Sequence, residues 1–511
     1  MARYKETNIG QGQFIEVDLT RQILPGSYEE TLQYLIDRKI DISKFDAEYR
    51  NDETGAPAIS PKVLLKIVLY CYSRGLITSR PMARACTENM TVKAMAEDIE
   101  PHFSVIADFI SKNSEKIKDV FTQVLMYCSE LGLIKGDLFA IDGCKLPSNA
   151  SKEWSGTIDE LKKKKADLAA LSGRLIEKHK KLDAEDKNNG ELSKEERTAA
   201  KEQRKRHIER INKKMEYIDQ FFVDDPQPRL GTRYEVQSNI TDNESAKIKG
   251  PHGVIQGYNG IAVADSANQV IVAADVVGSV HEGNVLPDML DELKGTMQTI
   301  TGKEEPLENA TVLGDTGYFS EENLEEAEAR NVDVLIPDQQ FRKRDESFQD
   351  QKCHENRRYT KEDFTYNEND NTYRCPAGKR LEHKGHVELN SNSGEKYQAK
   401  SADCKNCPLV KNCVVSKGGK HPMRTLYISD SKGSNILEDM RNKIDDPRNR
   451  ELYGRRMQII EPCFADIEYC KKMNRFSLRG KRKVTGQWLL FCMVHNIGKC
   501  VPKRAVSRRA G

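Results

Sequence analysis

Residues 138 to 143 read Leu138-Phe139-Ala140-Ile141-Asp142-Gly143. Four consecutive apolar side chains make a run of strand length, and Asp-Gly is a turn signal. The stretch therefore predicts a buried strand that closes on a carboxylate. Ala310-Thr311-Val312-Leu313-Gly314-Asp315 repeats the arrangement. Between the two, Tyr258 to Ala264 and Val270 to Val277 predict a strand pair about a turn near Asp265 to Asn268, and Asn284 to Met297 is helix-like. Beyond them, Ser320 is placed to cap a helix running to about Arg330, and Val332 to Ile336 is a fifth strand stopped by Pro337. Strand, strand pair, helix, strand, helix, strand is the order of a mixed α/β sheet flanked by helices.

Outward from this frame, over residues 136–337, the chain changes texture on both sides. Residues 1–135 read as helices. Leu32 to Ile42 and Val63 to Tyr72 are apolar runs of helix length, with Ser60 and Pro61 placed to begin the second. Ala83 to Met95 and Ile106 to Leu133 follow with spacing of roughly 3.6 residues. They predict a small bundle, either a DNA-binding domain of helix-turn-helix type or a plain packing domain. Residues 152–222 are a charged insertion. Leu161, Leu168, Leu175 and Leu182 recur every seventh residue, Ile208, Ile211, Met215, Ile218 and Phe222 recur at three and four, and Asn188-Asn189-Gly190 between them suits a turn. The insertion reads as an antiparallel helical hairpin, with Lys162 to Lys165 either a solvated face or a phosphate contact. Residues 338–425 are polar and hold five cysteines, residues 434–498 are helical, and residues 499–511 form a basic tail.

A chain of 511 residues exceeds one ordinary core. Lys+Arg 81 against Asp+Glu 79 leaves a formal charge of +2, so distribution must decide the question of nucleic acid. From Arg475 to Gly511 every charged side chain is Lys or Arg, a basic tail on a balanced protein. No stretch approaches the run of about 20 apolar residues that spans a bilayer, and Met1 to Gly10 is polar. The expected location is the cytosol, at the nucleoid when bound to DNA, with no membrane partner. In a reducing compartment an odd count of thirteen cysteines is no disulfide framework. Clustered cysteines read as metal ligands; scattered ones such as Cys71, Cys128, Cys492 and Cys500 read as core.

In-line cleavage of a phosphodiester requires charge neutralisation on the attacking and leaving oxygens, which two Mg²⁺ ions supply, and these hard ions take carboxylate oxygens. Asp142 and Asp315 close two strands of what reads as one sheet, so they converge if those strands are neighbours. A third carboxylate must come from elsewhere. The helix-like segment Arg455 to Met473 offers Glu461, Asp466 and Glu468, among which spacing does not choose.

Ile141-Asp142-Gly143 with Lys145 and Ser148-Asn149-Ala150-Ser151, Leu313-Gly314-Asp315-Thr316-Gly317-Tyr318, and Tyr453 to Phe464 (YGRRMQIIEPCF) together resemble the three motifs of the DDE transposases of bacterial insertion sequences. Within them they are similar to the group with a Tyr-Arg-Glu-Lys motif around its third carboxylate. Pro61 to Lys66, with Tyr70 and the Ser79-Arg80 turn, resembles the InsH-type N-terminal domain of these proteins. The resemblance implies an RNase H-like catalytic domain whose triad is Asp142, Asp315 and Glu461, binding two Mg²⁺ (or Mn²⁺) ions. It implies that Tyr453 and Arg456 hold DNA near the scissile phosphate. Four residues separate Arg456 from Glu461 where the usual pattern has three, and Glu468 stands where the motif has Lys, so Lys471 or Lys472 one turn on is the expected substitute. Glu468 is the reserve third ligand, seven residues from Glu461. The resemblance further implies cleavage at transposon ends to free a 3′-OH, strand transfer into target DNA, and a homodimer pairing two terminal inverted repeats. Arg475, Arg479, Lys481, Arg482 and Lys483, with the tail, are expected to add sequence-independent phosphate contacts.

Cys375, Cys404, Cys407 and Cys413 are spaced C-x28-C-x2-C-x5-C, and the close Cys404/Cys407 pair suits two thiolates on one structural Zn²⁺. Cys353, His354, His383 and His386 are substitute ligands. Two alternatives remain open: a zinc-containing DNA-binding regulator without catalysis, and an RNase H-like nuclease that never joins strands.

Overall fold

A computed structural model describes residues 17–47, 57–185, 194–225, 227, 229–230, 235–250, 253–278, 283–344, 359–389, 392–414, 423–429 and 435–510. The chain divides into two compact units. The first comprises Met1–Glu282, Asp291–Pro306 and Met457–Gly511, and the second Gly283–Leu290 and Leu307–Arg456.

The first unit opens with short helices. Ser27 caps Tyr28–Arg38 by accepting the Glu30 N–H, and Pro61 sits in the first turn of Pro61–Ser73. That second helix is buried on nearly every side and includes Lys66, 1 % exposed, whose ammonium donates to Asp37 at 3.1 Å and to Glu97 at 2.5 Å. The two carboxylates make burial of the charge tolerable. The helix expected over Ala83 to Met95 is two, Ser79–Glu88 and Met90–Met95. Asn89 divides them, its side chain accepting the Thr91 and Val92 N–H groups. Ile106 to Leu133 divides likewise, at Asn113, into Phe103–Lys112 and Ser114–Glu130.

The sheet of this unit is antiparallel. Strand β1 (Leu138–Pro147) pairs with one edge of β3 (Gly253–Asp265), while β2 (Ala246–Gly250) and β4 (Ile271–Val277) pair successively along its other edge. Strand β1 does not stop at Asp142, as the Asp-Gly dipeptide suggested. It runs to Pro147, with Asp142 opposite Ala262 and Cys144 opposite Gly260. Gly143 serves close packing rather than a turn: a Cβ there would lie 2.5 Å from the Asn259 side-chain nitrogen.

Between β1 and β2 stands the helical hairpin, Ile158–Glu185 and Lys194–Asp224, closed at its base by buried Leu161, Ile211, Ile218 and Phe221. Its expected turn at Asn188-Asn189-Gly190 lies outside the described residues.

The C-terminal helix Lys481–Ala510 threads the unit. Fully buried Trp488 donates its indole N–H to the Ile261 carbonyl at 2.9 Å. Asn496 meets strand β4 as another strand would, accepting from Ile271 N at 2.9 Å and donating to Ile271 O at 2.8 Å. Gln487 donates to the Tyr72 hydroxyl at 3.1 Å. The stretch expected as a basic tail is the end of this helix, and Arg504 packs inward, its guanidinium 3.5 Å from the Tyr34 ring centroid and 3.4 Å from Glu30.

In the second unit β5 (Thr311–Leu313) and β6 (Asp333–Leu335) run parallel, joined by the helix Glu321–Ala329, which Ser320 caps as expected. The cysteine-bearing segment forms a five-stranded antiparallel meander: β7 (Thr365–Asn367), β8 (Thr372–Arg374), β9 (Arg380–Leu389), β10 (Asn392–Ala399) and β11 (Thr425–Ser429). Its polar composition conceals a core of its own. Phe364, Leu381, Tyr397, Ala399 and Leu426 are buried together with Cys404. Helices Asn435–Asp445 and Pro447–Gly454 complete the unit. Among the described residues no helix is long and apolar enough to cross a membrane.

Candidate functional site

Asp142 stands mid-strand on β1, partly exposed, with one carboxylate oxygen accepting the Gly143 N–H at 2.8 Å. Side chains two apart on a strand share a face, so Cys144 lies on the Asp142 side. Cys144 is buried and donates its thiol to Glu468 Oε1 at 2.5 Å. Burial, the adjacent Glu468 and the charge of Asp142 together push that thiol well above its ordinary pKa, so it stays protonated as the donor.

The segment carrying the third carboxylate is an α-helix, Arg456–Ala465, that continues as a turn of π-helix, Asp466–Cys470. Pro462 sits inside it. Proline has no N–H, which leaves the Gln458 carbonyl one turn back without its helical partner. Gln269 Nε2 supplies the bond instead, at 2.9 Å, and ties the helix to the turn after β3.

The three helix carboxylates have different surroundings. Glu461 is exposed, and among the described residues no hydrogen bond or ion pair engages it. Asp466 is consumed by structure. It accepts from His495 Nδ1 at 2.6 Å and from the Lys471 ammonium, while His495 Nε2 lies 2.8 Å from the Gln269 carbonyl. Burial works to raise the Asp466 pKa, but the bonds from His495 and Lys471 overcome it and hold it at about 2. Glu468 holds Cys144. The α spacing that puts Glu461 and Glu468 on one face is altered by the π turn, a feature that often marks functional segments.

In the second unit, Asp315 follows β5 and is partly exposed, its side chain accepting the Gly317 N–H at 2.6 Å as the cap of a short 3-10 turn. Tyr453 packs edge-on against Phe341, ring centroids 5.4 Å apart, and Arg456 is buried. Thus Asp142, Glu461 and Glu468 belong to the first unit and Asp315 to the second.

The basic residues also separate. Lys472, Arg475 and Lys483 are exposed. Lys471 is bonded to Asp466, Arg479 donates to the Asn149 carbonyl at 2.6 Å, Lys481 lies 3.3 Å from Asp275, and Arg482 lies 3.6 Å from Glu115. The segment from Lys471 to Gly480 is therefore partly spent in clamping the end of β1, where Phe476 N donates to the Pro147 carbonyl at 2.9 Å.

Cys375, Cys404, Cys407 and Cys413 line one small cavity at the edge of the meander core. Cys375 opens a tight turn in which Gly378 adopts φ +75° and Lys379 N–H points at the Cys375 sulfur at 3.3 Å. Burial, then the proximity of the other three thiols against the pull of Arg424, raises the Cys413 pKa. His383 is engaged by Glu395, and Cys353 and His354 lie outside the described residues. Among the described residues no group of three or more His, Cys, Asp or Glu side chains stands ready-made as a metal cage. The donor chemistry fits all the same: four soft sulfurs about one cavity, and oxygen donors at Asp142 and Glu461.

Sequence reasoning did not find Cys144 or His495. The first has a signal, its place two residues along β1 from Asp142; the second, a lone histidine in an apolar helix, has none.

Residues 374–501 match the transposase DDE domain family, and residues 17–112 match the transposase domain family DUF772. Comparison with curated proteins finds no match. The first span includes Glu461 and the four clustered cysteines, while Asp142 and Asp315 lie outside both.

Proposed function

We propose, from the two transposase-family matches, that this insertion-sequence DDE transposase cleaves DNA at transposon ends and joins the freed 3′-OH to target DNA, using Asp142, Asp315 and Glu461. The observation that carries the proposal is the exposed, unengaged Glu461, in a helical segment whose Glu468 reaches the strand of Asp142. A metal ligand must be available to its ion, and of the three helix carboxylates Glu461 is the available one.

Bound by the triad, two Mg²⁺ or Mn²⁺ ions would neutralise the charge that develops on the attacking and leaving oxygens. The rest falls to protein groups. Gly143 fixes the Asp142 carboxylate through its own N–H. The Cys144 to Glu468 bond holds the helical segment against β1, and Gln269 ties it to the turn after β3. Arg456 and Tyr453 are read as the DNA-holding residues that precede the Glu, and Lys472 and Arg475 as phosphate contacts. The central sheet is read as RNase H-like, and two protomers as pairing the two terminal repeats. Cys375, Cys404, Cys407 and Cys413 are read as the ligands of a structural Zn²⁺ that would pin the meander.

The test is Asp142→Ala in the full chain. Mg²⁺-dependent cleavage of a duplex carrying the element's terminal repeat should disappear while DNA affinity stays within a few-fold. Cleavage at the wild-type rate defeats the proposal and favours a non-catalytic regulator. Supplying pre-cut ends separates a transposase, which joins them, from a nuclease, which does not.

A further inference from the structure

The lysine run at the base of the helical hairpin does not behave as one face. Lys165 pairs with Asp219, and Lys162 lies 3.8 Å from Asp159, as lysines of a solvated helix do. Lys164 instead sets its ammonium 4.5 Å from the ring centroid of Trp154, and Lys214, from the other helix of the hairpin, lies 5.3 Å from the same centroid. Lys247 on β2 is the third member. Burial weighs most against the charged form of Lys164, Glu153 favours that form, and the charges of Lys247 and Lys214 oppose it in smaller measure. Lys247 and Lys249 alternate along β2 with the buried Ala246 and Ile248, so both leave the strand on the side away from the core. Lys152 reaches the Val254 carbonyl at 3.3 Å.

Gathering ammonium groups from three elements costs free energy through like-charge repulsion. The hairpin does not need the arrangement to fold, because the apolar seam of Leu161, Ile211, Ile218 and Phe221 closes its base. Cation–π attraction to Trp154 holds two of the ammonium groups in place, and Glu153 is the carboxylate that acts on Lys164 there. Such a cluster is matched by a ligand of dense, repeating negative charge, and duplex DNA carries about one charge per ~1.7 Å of axis.

We infer that the root of the hairpin, Trp154 with Lys164, Lys214 and Lys247, is a docking surface for the phosphate backbone of duplex DNA. The inference rests on the reading of DNA as substrate and adds a contact surface apart from the carboxylates and from the basic segment after Lys471.

The chain has two tryptophans, and Trp488 is fully buried, so a change of emission on binding DNA reports Trp154. The probe is a short duplex of arbitrary sequence, titrated into the full chain in salt from about 50 to 200 mM. Tryptophan emission should change on binding in the wild type and not in Trp154→Phe. The combined variant Lys164→Ala, Lys214→Ala, Lys247→Ala should flatten the slope of log affinity against log salt by roughly 2 to 3, at about 0.9 per lost contact. The corresponding triple Lys→Arg variant should keep the slope. Intact DNA binding with an unchanged slope in the alanine variant overturns the inference and leaves the proposed function standing. Should the alanine variant fail to fold, an emission change in Trp154→Phe equal to the wild type's overturns it instead. A wild-type chain that binds no duplex overturns both.

Discussion

The Cys144 thiol donates to the Glu468 carboxylate at 2.5 Å, which fastens the helix of Glu461 to the strand of Asp142. Under the proposed triad the two glutamates take separable roles. Glu461→Gln should lower single-turnover, Mg²⁺-dependent cleavage by more than about a thousandfold, the loss of an inner ligand. Glu468→Gln should cost about 10- to 100-fold, as outer partners of metal ligands typically do. Equal rates for the two variants would mean that Glu468 shares the metal, and a larger loss in Glu468→Gln would exchange their roles.

Asp466 makes an acid-stability prediction. Its folded pKa of about 2 lies below the ordinary carboxylate value of 3.8, so its bonds to His495 and Lys471 contribute stability above about pH 4, and that contribution is lost as pH falls toward 2. Asp466→Asn should thus lower the denaturant midpoint at neutral pH, with the gap to wild type closing as pH falls below 4. A constant gap across that window would show that charge is not what Asp466 contributes.

Gly260 lies under the Trp488 indole, where an added Cβ would come 2.8 Å from ring carbon Cε2. Trp488 cannot retreat, being fully buried and bonded to Ile261 O. Gly260→Ala should destabilise the first unit by about 1 to 3 kcal/mol through overpacking, read as a fall in Tm. An unchanged Tm would show that the interface yields.

Much of this was legible in the sequence, and the misses have physical causes. Alternation and turn residues located the strands from 258 to 277 and the parallel pair about Ser320, because their patterns are local. The end of β1 was misplaced because Asp-Gly means a turn only where the backbone is free to turn. Here the Asn259 side chain, far off in sequence, packs on Gly143. The meander was hidden because its one buried face leaves half of each strand polar. The division of labour among Glu461, Asp466 and Glu468 rests on His495, Gln269 and Cys144, all distant in the chain, so spacing along one helix held no information about it.

The cysteine cavity makes a metal prediction. The chain purified without chelator should carry about one Zn²⁺ per protomer by elemental analysis, and Cys404→Ser or chelation should release it and expose residues 359–429 to protease. Metal-free protein with the same protease resistance would reduce the four thiols to packing.

The most direct test of the proposed three-carboxylate centre counts Mn²⁺ ions by electron paramagnetic resonance on the full chain bound to a terminal-repeat duplex. Two ions per active centre are expected in the wild type, with fewer in each of Asp142→Asn, Asp315→Asn and Glu461→Gln while the complex with DNA persists. An unchanged count in any one of the three would contradict that residue's place in the centre, and an unchanged count in all three would contradict the centre itself.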